Sequence, residues 1–382
     1  MAAERIDVVV IGLGVTGLSA AGALARRGRS VVGIDRWGSG HPVTSSTGAS
    51  RSTRVAYDDV RYVRLAREAF DGWHRLEVGQ GVTLLVESGQ IDLGPVAKLD
   101  ALAAAMRAGD VPFDELDAAG VRGRFPEIAP RDGERALFHA EGGTVLADAA
   151  LRALRIDAER AGAELAMPER CVAIDAGVDD AEVLTDRRTL RADRVVIAAG
   201  PWSGALLSAA GIDLPLAPAV AQVTFLEAPR LVKRPGIVDW LMDGGVGVYG
   251  HPVPGIGYKV AFDAGSTDPW LPDVEAWAPD AAEEARVLAW LARRMPGIEP
   301  RVALTQRHPW TMTPDGDFAI DRRGPIVVAA GCSGHAFKFG PALGTLVADI
   351  ADGVERDDLE LFSLDRPAMR IGHAVASRPI TR

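Results

Sequence analysis

The feature that most constrains the fold lies near the N-terminus, where an apolar strand runs directly into a glycine-rich turn. Residues 6–11 (IDVVVI) form a continuous apolar run, typical of a strand in a parallel sheet covered on both faces. The turn GLGVTG follows, and an alanine- and leucine-rich segment from Leu18 to Arg27 predicts a helix that ends at Gly28. Residues 30–34 (SVVGI) predict a second strand. This order predicts a parallel βαβ unit.

The three glycines of the turn have separate roles in binding a dinucleotide. Gly12 permits the tight turn, Gly14 lets a pyrophosphate approach the backbone, and Gly17 lets helix and strand pack closely. The helix N-terminus supplies free N–H groups and a partial positive charge to the phosphates. Asp35, at the end of the second strand, is placed to accept hydrogen bonds from a ribose diol. We therefore predict a dinucleotide site; the alternative, a glycine-rich turn without a ligand, would not need the acid.

NAD and FAD both fit this turn, and the rest of the chain favours FAD. The motif lies at the N-terminus, a polar stretch (38–54) follows the βαβ unit, and a glycine-rich segment returns near the C-terminus. FAD is long, so its flavin end must be held by residues far in sequence from those at its adenosine end. A last helix is predicted to begin near Gly340-Pro341. If its N-terminus points at the flavin pyrimidine edge, its dipole favours the anionic reduced flavin.

The remaining pattern indicates a second domain. Two more apolar strands end on glycine, at Gly200 and Gly331, and they frame a block (218–265) of short alternating segments interrupted by Pro and Gly. A length of 382 residues fits about two domains. We predict an α/β fold (α+β overall), with a Rossmann-like FAD-binding domain assembled from separated segments and a substrate domain with a mainly antiparallel sheet flanked by helices. The predicted boundaries are 5–83, 145–217 and 303–382 for the FAD-binding domain, and 84–144 and 218–302 for the substrate-binding domain.

Composition excludes several classes of partner. A formal net charge of −10 is a poor match for a polyanion, so we predict no nucleic-acid partner. No apolar run approaches about 18 residues, which argues against a membrane span. Cys171 and Cys332 are the only cysteines, too few for a disulfide framework, and the seven histidines lack metal-ligand spacing, so no metal is predicted. Charged residues before the first strand argue against a signal peptide. We predict a cytoplasmic protein and favour a monomer.

Several motifs spread along the chain carry a more specific resemblance. The chain resembles the monomeric sarcosine oxidase and N-methyltryptophan oxidase family, within the wider D-amino-acid-oxidase-like flavoproteins. The resemblance covers nearly the whole chain, and the SGHAFKF stretch after a buried strand is much more specific than the N-terminal glycines. It is carried by residues 41–57 (His41 and GASRSTRVAY), 249–252 (YGHP), 313–321 (TPD, FAID), 330–339 (AGCSGHAFKF) and 362–367 (FSLDRP).

The family implies FAD-dependent oxidation of a secondary amine on a small amino acid, with O2 as electron acceptor and H2O2 as product. The resemblance assigns the substrate carboxylate to Arg54 and Lys338, and places Arg51 beside the flavin ring. Lys259 matches a lysine that promotes the reaction with oxygen, and Tyr249 matches an aromatic residue lining the substrate pocket. The competing interpretation is structural: Arg51 and Arg54 as surface charges flanking a helix, and Lys338 reaching solvent from one.

The cofactor site predicted from the turn and the resemblance together is long. It comprises Gly12, Gly14, Val15, Thr16, Gly17, Asp35, Arg36, His41, Ser46, Thr47, Gly48, Arg51, Cys171, Val172, Ala199, Gly200, Trp202, His308, Gly331, Gly334, His335, Phe337 and Lys338.

The chain departs from the family pattern at positions near the cofactor and the substrate, and at His251, which stands at a family phenylalanine position. His308 stands where members usually attach FAD through a cysteine, so we predict non-covalent FAD, with a histidyl link as the alternative. Trp310 replaces a tyrosine, and Asp263 stands where the family has a histidine near the pocket. We assign both to substrate binding. A carboxylate at Asp263 repels a simple anionic amino acid or attracts a second amine, so a bulkier, dibasic or cyclic amino acid is as plausible a substrate as sarcosine.

The predicted reaction passes a hydride equivalent from the carbon beside a neutral amine to flavin N5, after which the imine hydrolyses in water. The first alternative is a dehydrogenase on the same fold that passes electrons to an acceptor other than oxygen. An NAD-dependent dehydrogenase and a non-catalytic flavin-binding protein are further alternatives. A non-catalytic flavin-binding protein would not need four basic side chains in its pocket. The presence of Arg51, Arg54, Lys259 and Lys338 therefore argues against that alternative.

Overall fold

The computed structural model describes residues 4–38, 40–240, 247–263, 270, 277–299, 301–356 and 359–370. Within them several helix ends coincide with local sequence signals. The Asp59 carboxylate caps the second helix and Gly81 ends it in the left-handed region, while Asp280 caps the seventh. The helices are α1 (Val15–Arg26), α2 (Val60–Gln80), α3 (Val96–Ala108), α4 (Ala118–Arg124), α5 (Ala147–Arg160), α6 (Ser203–Ala209), α7 (Ala281–Arg294), α8 (Gly340–Asp352) and α9 (Leu359–Phe362).

The strands of the described residues form three sheets. In chain order they are β1 (Glu4–Ile11), β2 (Val31–Ile34), β3 (Arg51–Arg54), β4 (Leu85–Glu87), β5 (Gln90–Leu93), β6 (Asp114–Leu116), β7 (Ala136–His139), β8 (Gly142–Val145), β9 (Glu164–Ala166), β10 (Cys171–Ala176), β11 (Ala181–Thr185), β12 (Thr189–Ile197), β13 (Ala217–Leu226), β14 (Gly236–Asp239), β15 (Val248–Val253), β16 (Gly257–Phe262), β17 (Val302–Met312), β18 (Ala319–Arg323) and β19 (Ile326–Ala330).

The first sheet contains the N-terminal βαβ unit. β1 pairs in parallel with β2 and β12, β2 pairs with β9, and β12 pairs with β19. The three apolar strands that run into glycine are therefore β1, β12 and β19, and they lie side by side although they are far apart in sequence. Residues 8–11 of β1 are buried, which explains their unbroken apolar run. This arrangement confirms the predicted nucleotide-binding sheet built from separated segments.

The second sheet runs in the order β17-β13-β16-β15-β14-β5-β7-β6. Its neighbours are antiparallel except for β14 and β5, which pair in parallel. Helix α7 packs on β13 and β16 through Val287, Trp290 and Leu291, over a separate apolar core. The mainly antiparallel substrate sheet is thus confirmed.

A small third sheet, β3-β8-β4, adjoins the second sheet. It carries the segment from Arg51 to Arg54, which pairs antiparallel with residues 142–145 of β8. On the far side, β8 contacts β14 and β15 of the second sheet. β3 itself contacts residues 337–339, so its basic residues lie near both the second sheet and the turn before α8.

The predicted domain boundaries remain a prediction. β13 and β17 pair along their length in the second sheet, so residues 302–312 lie with the antiparallel block even though the predicted FAD-binding segment begins at 303. Residues 371–382, at the end of that segment, lie outside the described residues. Helices α1, α2, α5 and α8 pack together over one face of the first sheet and form its main core.

Candidate active site

The glycine-rich turn has the close contacts that its sequence predicts. Gly12 has a φ of +95°, and a Cβ there would lie 2.6 Å from the Ala198 carbonyl oxygen. A Cβ on Gly17 would lie 1.8 Å from the Gly12 carbonyl oxygen, and one on Gly14 would lie 2.9 Å from the Ser46 hydroxyl. Each position therefore excludes any larger side chain. The turn brings the free end of α1 to the edge of the first sheet, as an anion site requires.

A first cavity opens beside this turn and extends over the end of β2. The Asp35 carboxylate at its edge accepts hydrogen bonds from the backbone N–H groups of Leu13 (2.7 Å) and Trp37 (2.9 Å). Of the predicted cofactor residues, it is lined by Gly12, Gly14, Asp35, Arg36, Ser46, Cys171, Ala199, Gly200 and Trp202. Trp37, Glu169 and Arg170 also line it and were missed. No local motif marks them, since 169–170 reach the cavity only because β9 pairs with β2.

A second cavity continues from the first and shares Gly14, Ser45, Ser46, Ala198 and Gly200 with it. Predicted cofactor residues from both ends of the chain meet there: Val15, Thr16, Arg51, His308, Gly331, Gly334 and Phe337. Trp310 also lines this second cavity and is absent from the lining of the third. The structure thus places Trp310 on the predicted flavin side, two residues along β17 from His308.

A third cavity follows the second and shares Arg51, Tyr249, Lys259, Gly334 and Phe337 with it. It brings together the residues predicted to bind substrate: Arg54, Tyr249, Asp263 and Lys338, with Lys259, Arg51 and His335. The three cavities form one continuous passage from Asp35 to Arg54. A dinucleotide with a long second half fits it, because the free end of α1 lies where the first two cavities meet and the glycines there leave room for a pyrophosphate.

Five predicted cofactor residues do not line the passage within the described residues. Gly17 packs against Gly12, and the His41 ring stacks on Trp37 with centroids 5.4 Å apart. Thr47 donates a hydrogen bond to the Gly40 carbonyl, and the Gly48 N–H donates to Asp148. Val172 is 51% exposed. The first four support the turn and the adjoining loop, whereas Val172 faces away from the site.

The Arg51 guanidinium is fixed by backbone carbonyls. It donates hydrogen bonds to the carbonyls of Ser50 (2.8 Å), Ser45 (2.7 Å) and Thr47 (2.7 Å), and lies 5.2 Å from the centre of the Phe337 ring. Burial lowers its pKa from the ordinary value. Arginine still keeps its charge in proteins, so Arg51 places a positive charge on the boundary between the second and third cavities.

Arg54 lies deeper, with only 8% of its surface exposed. Its guanidinium carbon is 5.0 Å from the centre of the Tyr57 ring and 5.1 Å from that of Trp240. Burial by itself lowers the pKa of Arg54, but the neighbouring oxygens of Tyr57, Asp92 and Asp263 offset that effect and the pKa is raised. Arg54 is therefore a fixed cation between two aromatic rings, a geometry that cation–π attraction stabilises.

Lys338 reaches the same cavity from the turn before α8. Its Nζ donates to the Tyr57 hydroxyl (3.2 Å) and to the His335 carbonyl (3.0 Å). Burial, and then the positive charge of Arg54, lowers the pKa of Lys338 well below its usual value, while Asp263 acts in the opposite direction. Tyr57 belongs to one of the motifs that carry the family resemblance, but its role between Arg54 and Lys338 was not predicted.

Lys259 extends from β16 into the boundary between the second and third cavities and is only 2% exposed. Its Nζ donates to the Ser50 carbonyl at 2.8 Å and lies 5.7 Å from the centre of the Phe225 ring. Burial, and then the charge of Arg51, lowers the pKa of Lys259 well below the ordinary value. A negative charge beside Lys259 would act in the opposite direction, since an anion favours the protonated amine.

Asp263 is the acidic group of the third cavity. Burial raises its pKa to about 6, even though Arg54, Lys338 and Lys98 act to lower it. The carboxyl group therefore changes charge just below neutral pH, inside a cavity lined by cations.

His308 lies on β17 in the second cavity. Its Nδ1 is buried and has no hydrogen-bond partner among the residues that the structure describes. Burial lowers its pKa to about 3, with further lowering by Arg51 and Lys259. The imidazole is consequently neutral. It packs close to Gly48, where an added Cβ would lie 3.7 Å from its Nε2.

Known proteins match this chain over nearly its whole length. The chain is 32% identical to monomeric sarcosine oxidase from Streptomyces avermitilis over 381 residues, which covers 95% of this chain and 98% of that protein. It is 30% identical to peroxisomal sarcosine oxidase from Homo sapiens over 392 residues, covering 98% and 100%. These relatives confirm the resemblance drawn from the motifs.

A solved structure extends the comparison to the fold. NikD, described as an unusual amino acid oxidase essential for nikkomycin biosynthesis, matches in its open form with a TM-score of 0.80 and 26% identity, over 94% of this chain and 97% of that chain. Among the described residues, no helix is both long and apolar enough to cross a bilayer. The family model for FAD-dependent oxidoreductases of the DAO type matches residues 7–350, a span that contains all three cavities. The chain therefore belongs to the DAO family of FAD-dependent oxidoreductases.

Proposed function

We propose that this protein is an FAD-dependent oxidase of a secondary amine, N-methyl or cyclic, on a small amino acid. One observation carries the proposal. The third cavity joins the predicted flavin cavity and contains two cationic side chains, Arg54 and Lys338, aimed at one space, with Arg51 and Lys259 on the boundary between the two cavities. This arrangement suits a substrate with an anionic end and an oxidisable carbon held next to the flavin.

The carboxylate of the substrate binds to Arg54 and Lys338. Both are fixed before the substrate arrives, Arg54 by the Tyr57 and Trp240 rings and Lys338 by two hydrogen bonds. Charge-assisted hydrogen bonds in a dry cavity hold a carboxylate firmly, and this orientation directs the α-carbon toward the second cavity. The carboxylate also restores a negative charge beside Lys338, which favours its protonated form.

The amine of the substrate reacts in its neutral form. A buried cavity that already contains Arg51 and Arg54 disfavours a further ammonium ion, so the bound amine loses its proton more easily than it does in water. When bound, FAD supplies the two-electron acceptor for the hydrogen of the carbon beside that nitrogen. The oxidised substrate leaves as an imine, which water hydrolyses.

Oxygen is the proposed acceptor for the electrons, with H2O2 as product. Its reduction begins with formation of superoxide, and Lys259 and Arg51 place positive charge where that anion would form. The alternative, a dehydrogenase with another acceptor, predicts slow reoxidation by air of the anaerobically reduced protein, measured by stopped-flow absorbance.

Asp263 narrows the proposed substrate class. Asp263 lies in the cavity with Arg54 and Lys338. Above its pKa of about 6 it is a carboxylate, and it competes with the carboxylate of a substrate for these two basic side chains. A substrate with a second amine, or a cyclic one that presents an N–H group to Asp263, offsets that competition. We therefore propose a dibasic or cyclic N-substituted amino acid ahead of sarcosine.

We propose that FAD is held without a covalent bond. The neutral imidazole of His308 occupies the second cavity at the position of the usual attachment residue, and it fits there as a packing group. Neither cysteine stands at the attachment position on β17, since Cys171 lines the first cavity and Cys332 reaches the second from the loop after β19.

A peroxide-coupled screen over N-methyl and cyclic amino acids, including diamines, tests the substrate class. On the best substrate, Arg54→Met should raise KM by about 10- to 100-fold, because it removes a charged partner of the carboxylate. Arg155→Met is the matched control, since Arg155 lies on the exposed face of α5 and pairs with Glu159. Equal oxidation of the acid and its methyl ester, or an unchanged KM in Arg54→Met, would contradict the proposal.

A further inference from the structure

Near Arg54, and outside the lining of the three cavities, lies a buried pair of titratable side chains. Asp92 on β5 and His139 on β7 are both 0% exposed in their side chains, and Asp92 Oδ2 lies 3.6 Å from His139 Nε2. Neither of these two atoms has a hydrogen-bond partner among the residues that the structure describes. Unpartnered polar atoms at such depth destabilise a protein unless they interact with each other.

The other atoms of the pair determine where its protons are. His139 Nδ1 lies 3.1 Å from the Glu141 carbonyl, and a carbonyl only accepts, so Nδ1 carries a hydrogen. Asp92 Oδ1 accepts a hydrogen bond from the Trp240 indole N–H at 3.1 Å. With a neutral imidazole, a bare Nε2 would therefore face a bare carboxylate oxygen. The lone pair of Nε2 and the carboxylate oxygen would repel each other. One additional proton on Nε2 makes His139 an imidazolium, which attracts the Asp92 carboxylate across the 3.6 Å that separates the two atoms.

Trp240 connects this pair to the cavity. Its ring centre lies 5.1 Å from the Arg54 guanidinium carbon and 4.4 Å from Lys98 Nζ, while its indole N–H is held by Asp92. Lys98 is itself paired with Asp58 at 2.8 Å. The indole thus forms one wall of the space that holds Arg54, and the Tyr57 ring forms the other. The orientation of this wall depends on the hydrogen bond from Asp92.

We propose that Asp92 and His139 form a buried ion pair, with hydrogen on both nitrogens of His139, and that this pair, through Trp240, positions the Arg54 guanidinium for the substrate carboxylate. This inference rests on the proposed function, in which Arg54 binds that carboxylate. Asp92 and His139 line none of the three cavities, so they are positioning residues.

The binding test uses the FAD-loaded protein and 2-furoate, a ring carboxylate without an amine to oxidise, with methyl 2-furoate as the uncharged control. Calorimetric titration should show that Asp92→Leu weakens 2-furoate binding by about tenfold, because the wall beside Arg54 loses its anchor. Trp240→Phe keeps a ring but removes the N–H, and it should weaken binding in the same direction. Methyl 2-furoate should bind all of these proteins with similar affinity.

Asp92→Asn is the conservative variant. Its amide carbonyl accepts from Trp240 and its NH2 group donates to a neutral His139, so it should recover most of the affinity that Asp92→Leu loses. In assays with the amine substrate, Asp92→Leu should raise KM and leave kcat within about twofold. A displaced Arg54 weakens substrate binding but does not contact the carbon that is oxidised. Far-UV circular dichroism and FAD content show whether each variant is folded, and Trp240→Phe replaces Asp92→Leu if the latter does not fold.

A spectroscopic measurement tests the proton directly. In protein labelled with 15N-histidine, His139 should give the nitrogen shifts of an imidazolium at neutral pH, and Asp92→Asn should convert it to the neutral form with hydrogen on Nδ1. A neutral His139 in the wild-type protein would overturn the ion pair. Wild-type 2-furoate affinity in both Asp92→Leu and Trp240→Phe would overturn the positioning role.

The two proposals fail in distinguishable ways. If Arg54→Met binds 2-furoate as tightly as the wild type, the carboxylate site itself is wrong. If Arg54→Met loses binding while Asp92→Leu and Trp240→Phe keep it, the carboxylate site stands and only the role of Asp92 and His139 is rejected.

Discussion

Arg294, at the end of α7, holds the second sheet together through a buried ionic cluster. Its guanidinium donates to Asp239 at 2.6 and 2.9 Å and to Glu134 at 2.7 and 2.7 Å, and the Trp290 indole N–H also donates to Asp239 at 2.9 Å. The side chains of Arg294, Glu134 and Asp239 are 4%, 2% and 1% exposed. Asp239 ends β14, next to Trp240, so the cluster also supports a wall of the site.

Arg294→Met keeps a long apolar stem but leaves two carboxylates buried without their cation. Removing one partner of a buried ionic group costs about 3–5 kcal/mol, and a loss of about 4 kcal/mol changes the unfolding equilibrium about a thousandfold. The matched control is Arg155→Met, also on a helix, whose pair with Glu159 is 50% and 43% exposed. Such an exposed pair is worth less than about 1 kcal/mol.

Urea unfolding of the FAD-loaded proteins, followed by tryptophan fluorescence, measures the difference. Arg294→Met should unfold at a clearly lower urea concentration than Arg155→Met. Adding Asp239→Asn and Glu134→Gln to Arg294→Met should recover part of the lost stability, because no charge is then left buried. If Arg294→Met and Arg155→Met unfold at the same urea concentration, the cluster does not stabilise the protein and the reasoning is refuted.

Three further predictions concern the cavities. Lys259→Met should slow reoxidation of the reduced flavin by oxygen about 100-fold, because it removes positive charge where superoxide forms. It should leave anaerobic reduction by substrate nearly unchanged. Equal losses of rate in the two half-reactions, measured by stopped-flow absorbance, would contradict this role. Acid precipitation should leave the yellow colour in the supernatant, whereas colour in the pellet would show a covalent bond, with His308 the first residue to examine by peptide mapping. In the wild type, 2-furoate affinity should rise as pH falls through about 6, since the pKa of Asp263 is raised to that value by burial and protonation removes its repulsion. Calorimetry of Asp263→Asn should show tighter binding with a flat profile over that range, and a wild-type slope that persists in this variant would assign it to another group.

Local sequence determined the dinucleotide end of the molecule. The positions of Gly12, Gly14 and Gly17 and the apolar run before them predict a strand, a tight turn and a helix that contact one another within a short stretch of chain. The end of α2 at Gly81 and the cap of α7 at Asp280 are likewise local, because a side chain or a backbone conformation satisfies the groups of its own helix.

Motif resemblance extended the prediction to residues that are distant in sequence. It named Arg54, Lys338 and Lys259, which the structure brings to one passage from β3, the turn before α8 and β16. The hydrophobic pattern of the sequence does not place such residues together, because it is local. It does not show which strands pair when they are far apart along the chain. For the same reason Trp310 was assigned to the substrate, while the structure places it on the wall of the second cavity.

Only the tertiary structure decided the charges within the site and the support behind it. The lowered pKa values of Lys259 and Lys338 and the raised pKa of Asp263 follow from burial and from neighbouring charges, which depend on how the sheets pack. Asp92 and His139 belong to no motif. They meet because β7 pairs with one edge of β5, and Trp240 reaches Asp92 because β14 pairs with the other edge. Side-chain identity is a property of the sequence, but desolvation and proximity arise from contacts between distant segments.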